Sequence, residues 1–172
     1  MANRPCRVGS GEWENFMGTE IERKFLVIGD EWRSLGPGTA YSQGYLASDS
    51  RRTVRVRIAG EQGFITIKGA TEGISRAEFE YEIPVEDARE LLENLCDRPF
   101  IQKMRYKIQY GGLLWEVDEF AGENQDLILA EVELSDAAQA IALPPWIGAE
   151  VSHDSRYYNS NLVKFPYSQW QR

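Results

Sequence analysis

Charged side chains recur at every second position along seven short segments of the chain. Glu20, Glu22 and Lys24 alternate with Ile21, Arg23 and Phe25; Arg55 and Arg57 with Val54, Val56 and Ile58; Thr66 and Lys68 with Ile65 and Ile67. Arg76, Glu78, Glu80 and Glu82 stand against Ala77, Phe79, Tyr81 and Ile83, and Lys103, Arg105 and Lys107 against Met104, Tyr106 and Ile108. Glu116 and Asp118 oppose Trp115 and Val117, and Glu131 and Glu133 oppose Ala130, Val132 and Leu134. Residues two apart in an extended strand share a face, so the pattern predicts strands with one apolar and one charged face. A solvated face is the default for a single antiparallel strand. Seven such faces, nearly all ionised and with like charges at i, i+2, predict instead that something of opposite sign occupies the space between them.

The basic set is Lys24, Arg55, Arg57, Lys68, Lys103 and Arg105. It suits a multiply charged anion, Arg giving bidentate phosphate contacts and Lys a point charge. The acidic set is Glu20, Glu22, Glu78, Glu80, Glu116, Asp118, Glu131 and Glu133. Cys6 and Cys96 lie outside any metal-binding spacing and His153 is the single histidine, so the ligands on offer are hard oxygens, which select Mg²⁺ or Mn²⁺. A phosphate chain with divalent cations is what both sets imply. His153 reads as a surface loop residue, leaving water activation to a carboxylate and a metal-bound water. Trp115 and Tyr106 fall on the apolar face and are expected to pack under helices, so no platform for a nucleobase is identifiable. Glu131 and Glu133 are expected to repel in the empty site, so that Glu131→Gln should leave the metal-free fold at least as stable.

The elements that must hold these residues are short strands separated by glycine-rich turns. Eight are predicted: Glu20 to Ile28, Ala40 to Ala47, Thr53 to Ala59, Phe64 to Lys68, Arg76 to Pro84, Gln102 to Tyr110, Leu113 to Phe120 and Leu127 to Leu134. Gly60, Gly63, Gly111-Gly112 and Gly122 punctuate them as hairpin connections. One helix is predicted over Val85 to Leu95, with Ala88, Leu91, Leu92 and Leu95 on one face; a second from Ser135 or Asp136 to Pro144; a third from Ser160 to Phe165. The expected fold is mainly β (α+β), an eight-stranded antiparallel barrel with its charges inward and helices outside, wide enough for one small ligand. The 172 residues, 42% hydrophobic and 27% charged, suit one globular domain over 17–172, with 1–16 as a tail. A net charge of −8 argues against nucleic-acid or anionic-membrane binding by net charge. The expected setting is cytoplasmic, with a small-molecule partner, as monomer or homodimer.

In order along the chain, Thr19-Glu20-Ile21-Glu22-Arg23-Lys24-Phe25, Gln43-Gly44-Tyr45-Leu46, Val54-Arg55-Val56-Arg57, Thr66-Ile67-Lys68-Gly69, Ser75 to Glu80, Lys103-Met104-Arg105-Tyr106, Trp115 to Asp118, Glu131-Val132-Glu133 and Asp154-Ser155-Arg156-Tyr157 resemble the triphosphate tunnel metalloenzymes of the CYTH superfamily, whose N-terminal signature is ExExK. The resemblance runs from Met17 to about Leu162. It implies a tunnel in which Mg²⁺ or Mn²⁺ assists hydrolysis of a triphosphate, inorganic tripolyphosphate foremost. Class IV adenylate cyclase, thiamine triphosphatase and a non-catalytic polyphosphate- or nucleotide-binding module are the alternatives. Carried over, Glu20, Glu22, Asp118, Glu131 and Glu133 resemble metal-binding carboxylates, and Glu20, Glu22, Lys24 and Glu131 the catalytic group. Lys24, Arg55, Arg57, Lys68, Lys103 and Arg105 resemble phosphate-holding residues, with Arg156 at the tunnel mouth. Glu78, Glu80 and Glu116 would support the cations through ion pairs.

Overall fold

The computed structural model describes residues 21–70, 78–136 and 138–170. The alternating segments become pleated strands: β1 (Ile21–Val27), β2 (Gly38–Ser48), β3 (Arg52–Ala59), β4 (Gln62–Gly69) and β5 (Glu78–Ile83), then β6 (Ile101–Tyr110), β7 (Leu113–Ala121), β8 (Ile128–Leu134) and β9 (Ile147–Glu150). All pair antiparallel, in the order β5-β4-β3-β2-β6-β7-β8-β1-β9. Hairpins link the sequence neighbours β2 to β5 and β6 to β8. The predicted strand ends at Glu20, Arg76 and Ala77, and the proposed tail, lie outside the described residues.

Two expectations about this sheet are corrected. It has nine strands rather than eight, and among the described residues it does not close into a barrel: β5 and β9 are both edges. The sequence gives β9 only four residues and no charged alternation, yet it pairs with β1 through Phe25↔Glu150 and Val27↔Ile147. It thereby occupies the side of β1 that a closing β5 would need. The sheet still curls, because charged residues of β1, β3, β4, β5, β6, β7 and β8 line one cavity.

Helix α1 (Val85–Asn94) follows Pro84 and carries Glu86 and Asp87 in its first turn, where acidic groups complement the helix dipole. Ala88 and Leu92 are buried on Val56. Gly44 permits this approach, since a Cβ there would stand 2.8 Å from Cys96 Cβ and 3.1 Å from Leu92 Cδ2. Leu95 is exposed at the helix end instead of joining the apolar face. The predicted helix after Ser135 is absent among the described residues. Asp136 Oδ1 accepts the Ala138 N–H at 2.7 Å, and Gln139 Oε1 accepts both the N–H and the hydroxyl of Ser135. Such side-chain bonds offer the backbone an alternative to a helix, and Pro144 leaves too few residues for a stable one. The last predicted helix is α2 (Asn159–Lys164).

The apolar outer face of β1, β7 and β8 buries Phe25, Trp115, Val117 and Val132 against Trp32 and Trp146. Trp115 is fully buried, as its parity predicts, but the cover comes from a 3-10 turn at Glu31–Ser34 and the segment before β9 rather than from α-helices. A second cluster joins Tyr45, Phe120 and Leu129 to Leu162 and Val163 of α2. Phe120 and Leu129 share strand faces with Asp118 and Glu131, so the charged face turns apolar at one end and α2 covers it. No described helix is long and apolar enough to cross a membrane.

Candidate active site

The curled sheet encloses a cavity of about 620 Å³. Among the described residues seven cationic and five acidic side chains line it, so a chain of net charge −8 carries a locally positive hollow.

One flank is built by β6, β7, β8 and β1, whose registers set Arg105 opposite Asp118, Glu116 opposite Glu131, and Glu131 opposite Lys24. Arg105 donates from Nε to Asp118 Oδ1 and from Nη2 to Asp118 Oδ2, both at 2.6 Å, and from Nη2 to Glu131 Oε2 at 2.9 Å; its Nη1 is paired with Glu116. Lys103 Nζ reaches Asp118 Oδ2 at 2.5 Å, and Lys24 Nζ lies 2.5 Å from Glu131 Oε1 and 2.9 Å from Glu22 Oε1. Burial opposes the Glu131 charge, but Lys24, Lys103 and Arg105 outweigh it and hold its pKa well below the ordinary range. Burial, then the neighbouring Glu131, pushes Glu22 up to about 7. Burial also draws Lys103 below its ordinary value despite Asp118.

The other flank comes from β3, β4 and β5. Arg55 donates from Nη2 to Thr66 Oγ1 at 3.1 Å and to Glu80 Oε2 at 3.3 Å, and Arg57 Nη2 donates to Glu80 Oε1 at 2.9 Å. Thr66 Oγ donates to Glu80 Oε2 at 2.6 Å, and Lys68 Nζ lies 2.8 Å from Glu78 Oε2. Burial and the nearby Arg55 lower the Arg57 pKa. The Nε groups of both arginines are buried without an acceptor. Tyr41, on β2 between the flanks, has its ring 5.7 Å from the Arg57 guanidinium and 5.3 Å from that of Arg105.

The sequence-predicted residues divide clearly. Glu22, Lys24, Arg55, Arg57, Lys68, Glu78, Glu80, Lys103, Arg105, Glu116 and Glu131 converge on the cavity. Asp118 is wholly buried behind it, with both oxygens taken by Lys103 and Arg105. Glu133 is exposed and outside the lining, opposite Glu22 in register. Arg156 is exposed on a turn, bound to Asp154 at 2.5 Å, and not at the cavity. Glu20 lies outside the described residues. Lining residues to which the sequence reading assigned no site role include Lys107, readable from its parity with Lys103 and Arg105, and Tyr41, Gln43 and Tyr45, readable from their alternation on β2, Gln43 and Tyr45 lying in a motif of the resemblance. Ser152, Tyr158, Asn159 and Ser160 also line it, and no local pattern announces them.

Among the described residues no group of three or more Asp, Glu, His or Cys side chains is arranged to hold a metal ion. Glu22 and Glu131, both paired with Lys24 and within hydrogen-bonding reach of each other, are the carboxylates of this flank that could contribute to such a site.

The family model of the CYTH domain matches residues 18–164. An inorganic triphosphatase of Acetivibrio thermocellus is 54% identical over 155 residues, covering 90% of this chain and 99% of that protein. An inorganic triphosphatase of Nitrosomonas europaea is 40% identical over 153 residues, covering 84% and 97%. The solved structure of the inorganic triphosphatase NE1496 superposes with a TM-score of 0.64 at 37% identity, over 84% of this chain and 93% of that one.

Proposed function

The chain belongs to the CYTH domain family, and from that premise we propose that it is a metal-dependent triphosphatase that cleaves inorganic tripolyphosphate to pyrophosphate and phosphate. The observation that carries this reading is the pair of buried, acceptor-less Nε groups of Arg55 and Arg57 in a hollow of excess positive charge. Buried donors are nearly always paired in native proteins, and an arginine fork matches phosphate oxygens. Relatives at 54% and 40% identity are named inorganic triphosphatases.

In this reading Arg55, Arg57 and Lys68 bind the phosphate chain from one flank, and Lys103 and Arg105 bind it from the other. Phosphoryl transfer needs positioning and charge stabilisation more than covalent chemistry, and these five cations supply both. Water attacks the terminal phosphorus, the bridging P–O bond breaks and pyrophosphate leaves; a carboxylate of the Glu22–Glu131 pair takes the proton from the water. Lys24, bonded to both carboxylates, fixes their orientation. Glu22 and Glu131, together with Glu20, would hold Mg²⁺ or Mn²⁺, which when bound neutralises phosphoryl charge and activates water. Asp118 serves by holding Lys103 and Arg105 in place, and Glu80 by spacing Arg55 and Arg57.

The test is product release from tripolyphosphate, ATP and thiamine triphosphate, each with Mg²⁺, Mn²⁺ or excess chelator. The expected result is metal-dependent phosphate release, fastest from tripolyphosphate. Undiminished turnover in chelator would remove the metal from the account, and efficient cyclic AMP formation with negligible tripolyphosphate hydrolysis would make the protein a cyclase.

A further inference from the structure

Arg57 and Arg105 stand on opposite flanks of the cavity and are held in different ways. Arg105 is held by carboxylates, its Nε, Nη1 and Nη2 all donating to Asp118, Glu116 or Glu131. Arg57 has one carboxylate contact among the described residues, Nη2 to Glu80 Oε1 at 2.9 Å, and two aromatic ones: its guanidinium lies 5.7 Å from the centre of the Tyr41 ring and 5.1 Å from that of Phe64. The same Tyr41 ring lies 5.3 Å from the Arg105 guanidinium. Register explains how one residue reaches both cations. Strand β2 separates β3 from β6, and Tyr41 pairs with Ala59 on one side and Lys103 on the other, with its side chain on the face that lines the cavity.

A carboxylate and a ring hold an arginine at different places. The carboxylate takes N–H donors from the guanidinium edge and brings a negative charge that repels a phosphate chain. An aromatic face attracts the guanidinium through its π-electrons and leaves the N–H edge free, and the buried Nε of Arg57 has no acceptor. Arg57 needs such a hold. Burial lowers its pKa, and the Arg55 and Arg105 charges lower it further, so the neighbouring cations repel it and would drive an unrestrained side chain out of the hollow. Fixing that side chain beforehand also removes rotamer entropy that anion binding would otherwise cost. We propose that Tyr41 is a positioning residue for the triphosphate, its ring holding the guanidiniums of Arg57 and Arg105 in one clamp across the two flanks and leaving the N–H edge of Arg57 free for phosphate. This deepens the triphosphatase reading given above and rests on it.

The experiment measures, by calorimetry in the presence of Mg²⁺, the Kd of a tripolyphosphate analogue bridged by P–N–P bonds. The proteins are wild type, Tyr41→Leu and Tyr41→Phe, the last also prepared with one, two and three fluorines on the ring. Fluorine withdraws electrons from the ring face with little change of shape, so it weakens a cation–π contact and leaves packing in place. Tyr41→Leu is expected to weaken binding by about 5- to 30-fold, as loss of a desolvated cation–π contact implies. Tyr41→Phe should keep most of the affinity, and the fluorinated rings should lose it stepwise. In an Arg57→Ala background the effect of Tyr41→Leu should shrink, because the side chain through which the ring acts is gone. Unchanged affinity in Tyr41→Leu would overturn the proposal, as would an affinity indifferent to fluorination, which would make the ring a space-filling wall. Tyr41→Phe as damaging as Tyr41→Leu would also overturn it, since the hydroxyl would then be the group that matters. If Tyr41→Leu does not fold, the fluorinated series decides, because its rings match phenylalanine in size. Wild-type protein that neither binds the analogue nor hydrolyses tripolyphosphate would remove the triphosphatase reading itself, a result distinct from failure at Tyr41 alone.

Discussion

The two flanks of the cavity use the same residue types and leave them in opposite states. On β6, β7, β8 and β1 the charges are buried and mutually satisfied: Lys103, Arg105 and Asp118 form one group, and Lys24, Arg105 and Glu131 another. On β3, β4 and β5 the arginines share one carboxylate among the described residues, Glu80, whose side chain is about a third exposed, and both Nε groups are buried without an acceptor there. The first flank has its charges paired before any ligand arrives, whereas the second leaves donors over. Sheet position explains the difference. The first flank lies within the sheet between two apolar clusters, whereas the second ends at the edge strand β5, where Phe79 and Tyr81 are exposed and α1 packs against the outer face of β3. Buried charges are costly unless paired, while charges nearer a sheet edge are partly solvated.

That contrast predicts different consequences for substitutions on the two sides. The largest effect is expected for Asp118→Asn, which leaves Lys103 and Arg105 buried and short of a counter-charge. Removing one partner of a buried pair costs about 3–5 kcal/mol, so urea unfolding in chelator should show a loss of that order. A wild-type midpoint would mean that the flank is held by its apolar neighbours alone. Next is Glu131→Gln. Because Lys24 and Arg105 hold Glu131 as a carboxylate, the metal-free protein should lose about 1–3 kcal/mol, and metal-dependent hydrolysis should fall with it. Equal stability in chelator would show that repulsion, not pairing, governs the empty site.

Arg57→Ala should behave in the reverse way. Its unfolding midpoint should move little, while tripolyphosphate affinity falls by the equivalent of about 1.5–3 kcal/mol, the range for a hydrogen bond to a charged group. Unchanged affinity with a large stability loss would assign this flank the same structural role as the other. The smallest effect belongs to the outer clamp between β1 and β9, where Arg23 donates from Nε to Glu150 Oε1 at 2.9 Å and from Nη2 to Oε2 at 2.6 Å. Arg23 and then Ser152 hold Glu150 down to about 2. Its contribution is present above the unfolded carboxylate pKa of about 4.3 and is lost as pH falls towards 2. Both side chains are about a third exposed, so Glu150→Gln should cost less than about 1 kcal/mol near neutral pH. The melting temperatures of variant and wild type should converge as pH falls to about 2.

Much of this was legible in the sequence because strand parity is a local property. The i, i+2 spacing that places Arg55 beside Arg57, or Lys103 beside Arg105, survives whatever the strands later pair with, and eleven of the expected residues share one cavity for that reason. Which charge meets which is set by register between distant strands. Asp118, which the resemblance placed among the metal-binding carboxylates, stands in register opposite Arg105 and has both oxygens taken by Lys103 and Arg105, a pairing no local pattern announces. Where repulsion was expected at Glu131, register brings it opposite charges, Lys24 from β1 and Arg105 from β6. Strand β9 and Asn159 carry no periodic signal, and their positions follow from tertiary ties at Lys24 and Ser152. The helix expected after Ser135 was lost to side-chain bonds that periodicity does not register.

The most direct test of the unfinished flank is amide hydrogen exchange of the metal-free protein, repeated with Mn²⁺ and a triphosphate analogue bridged by P–N–P bonds. Without ligand, the amides of β3, β4 and β5 should exchange faster than those of β6, β7 and β8, and ligand should slow the first group markedly while changing the second little. Protection spread evenly over both flanks, or confined to β6, β7 and β8, would contradict the claim that the anion completes β3, β4 and β5.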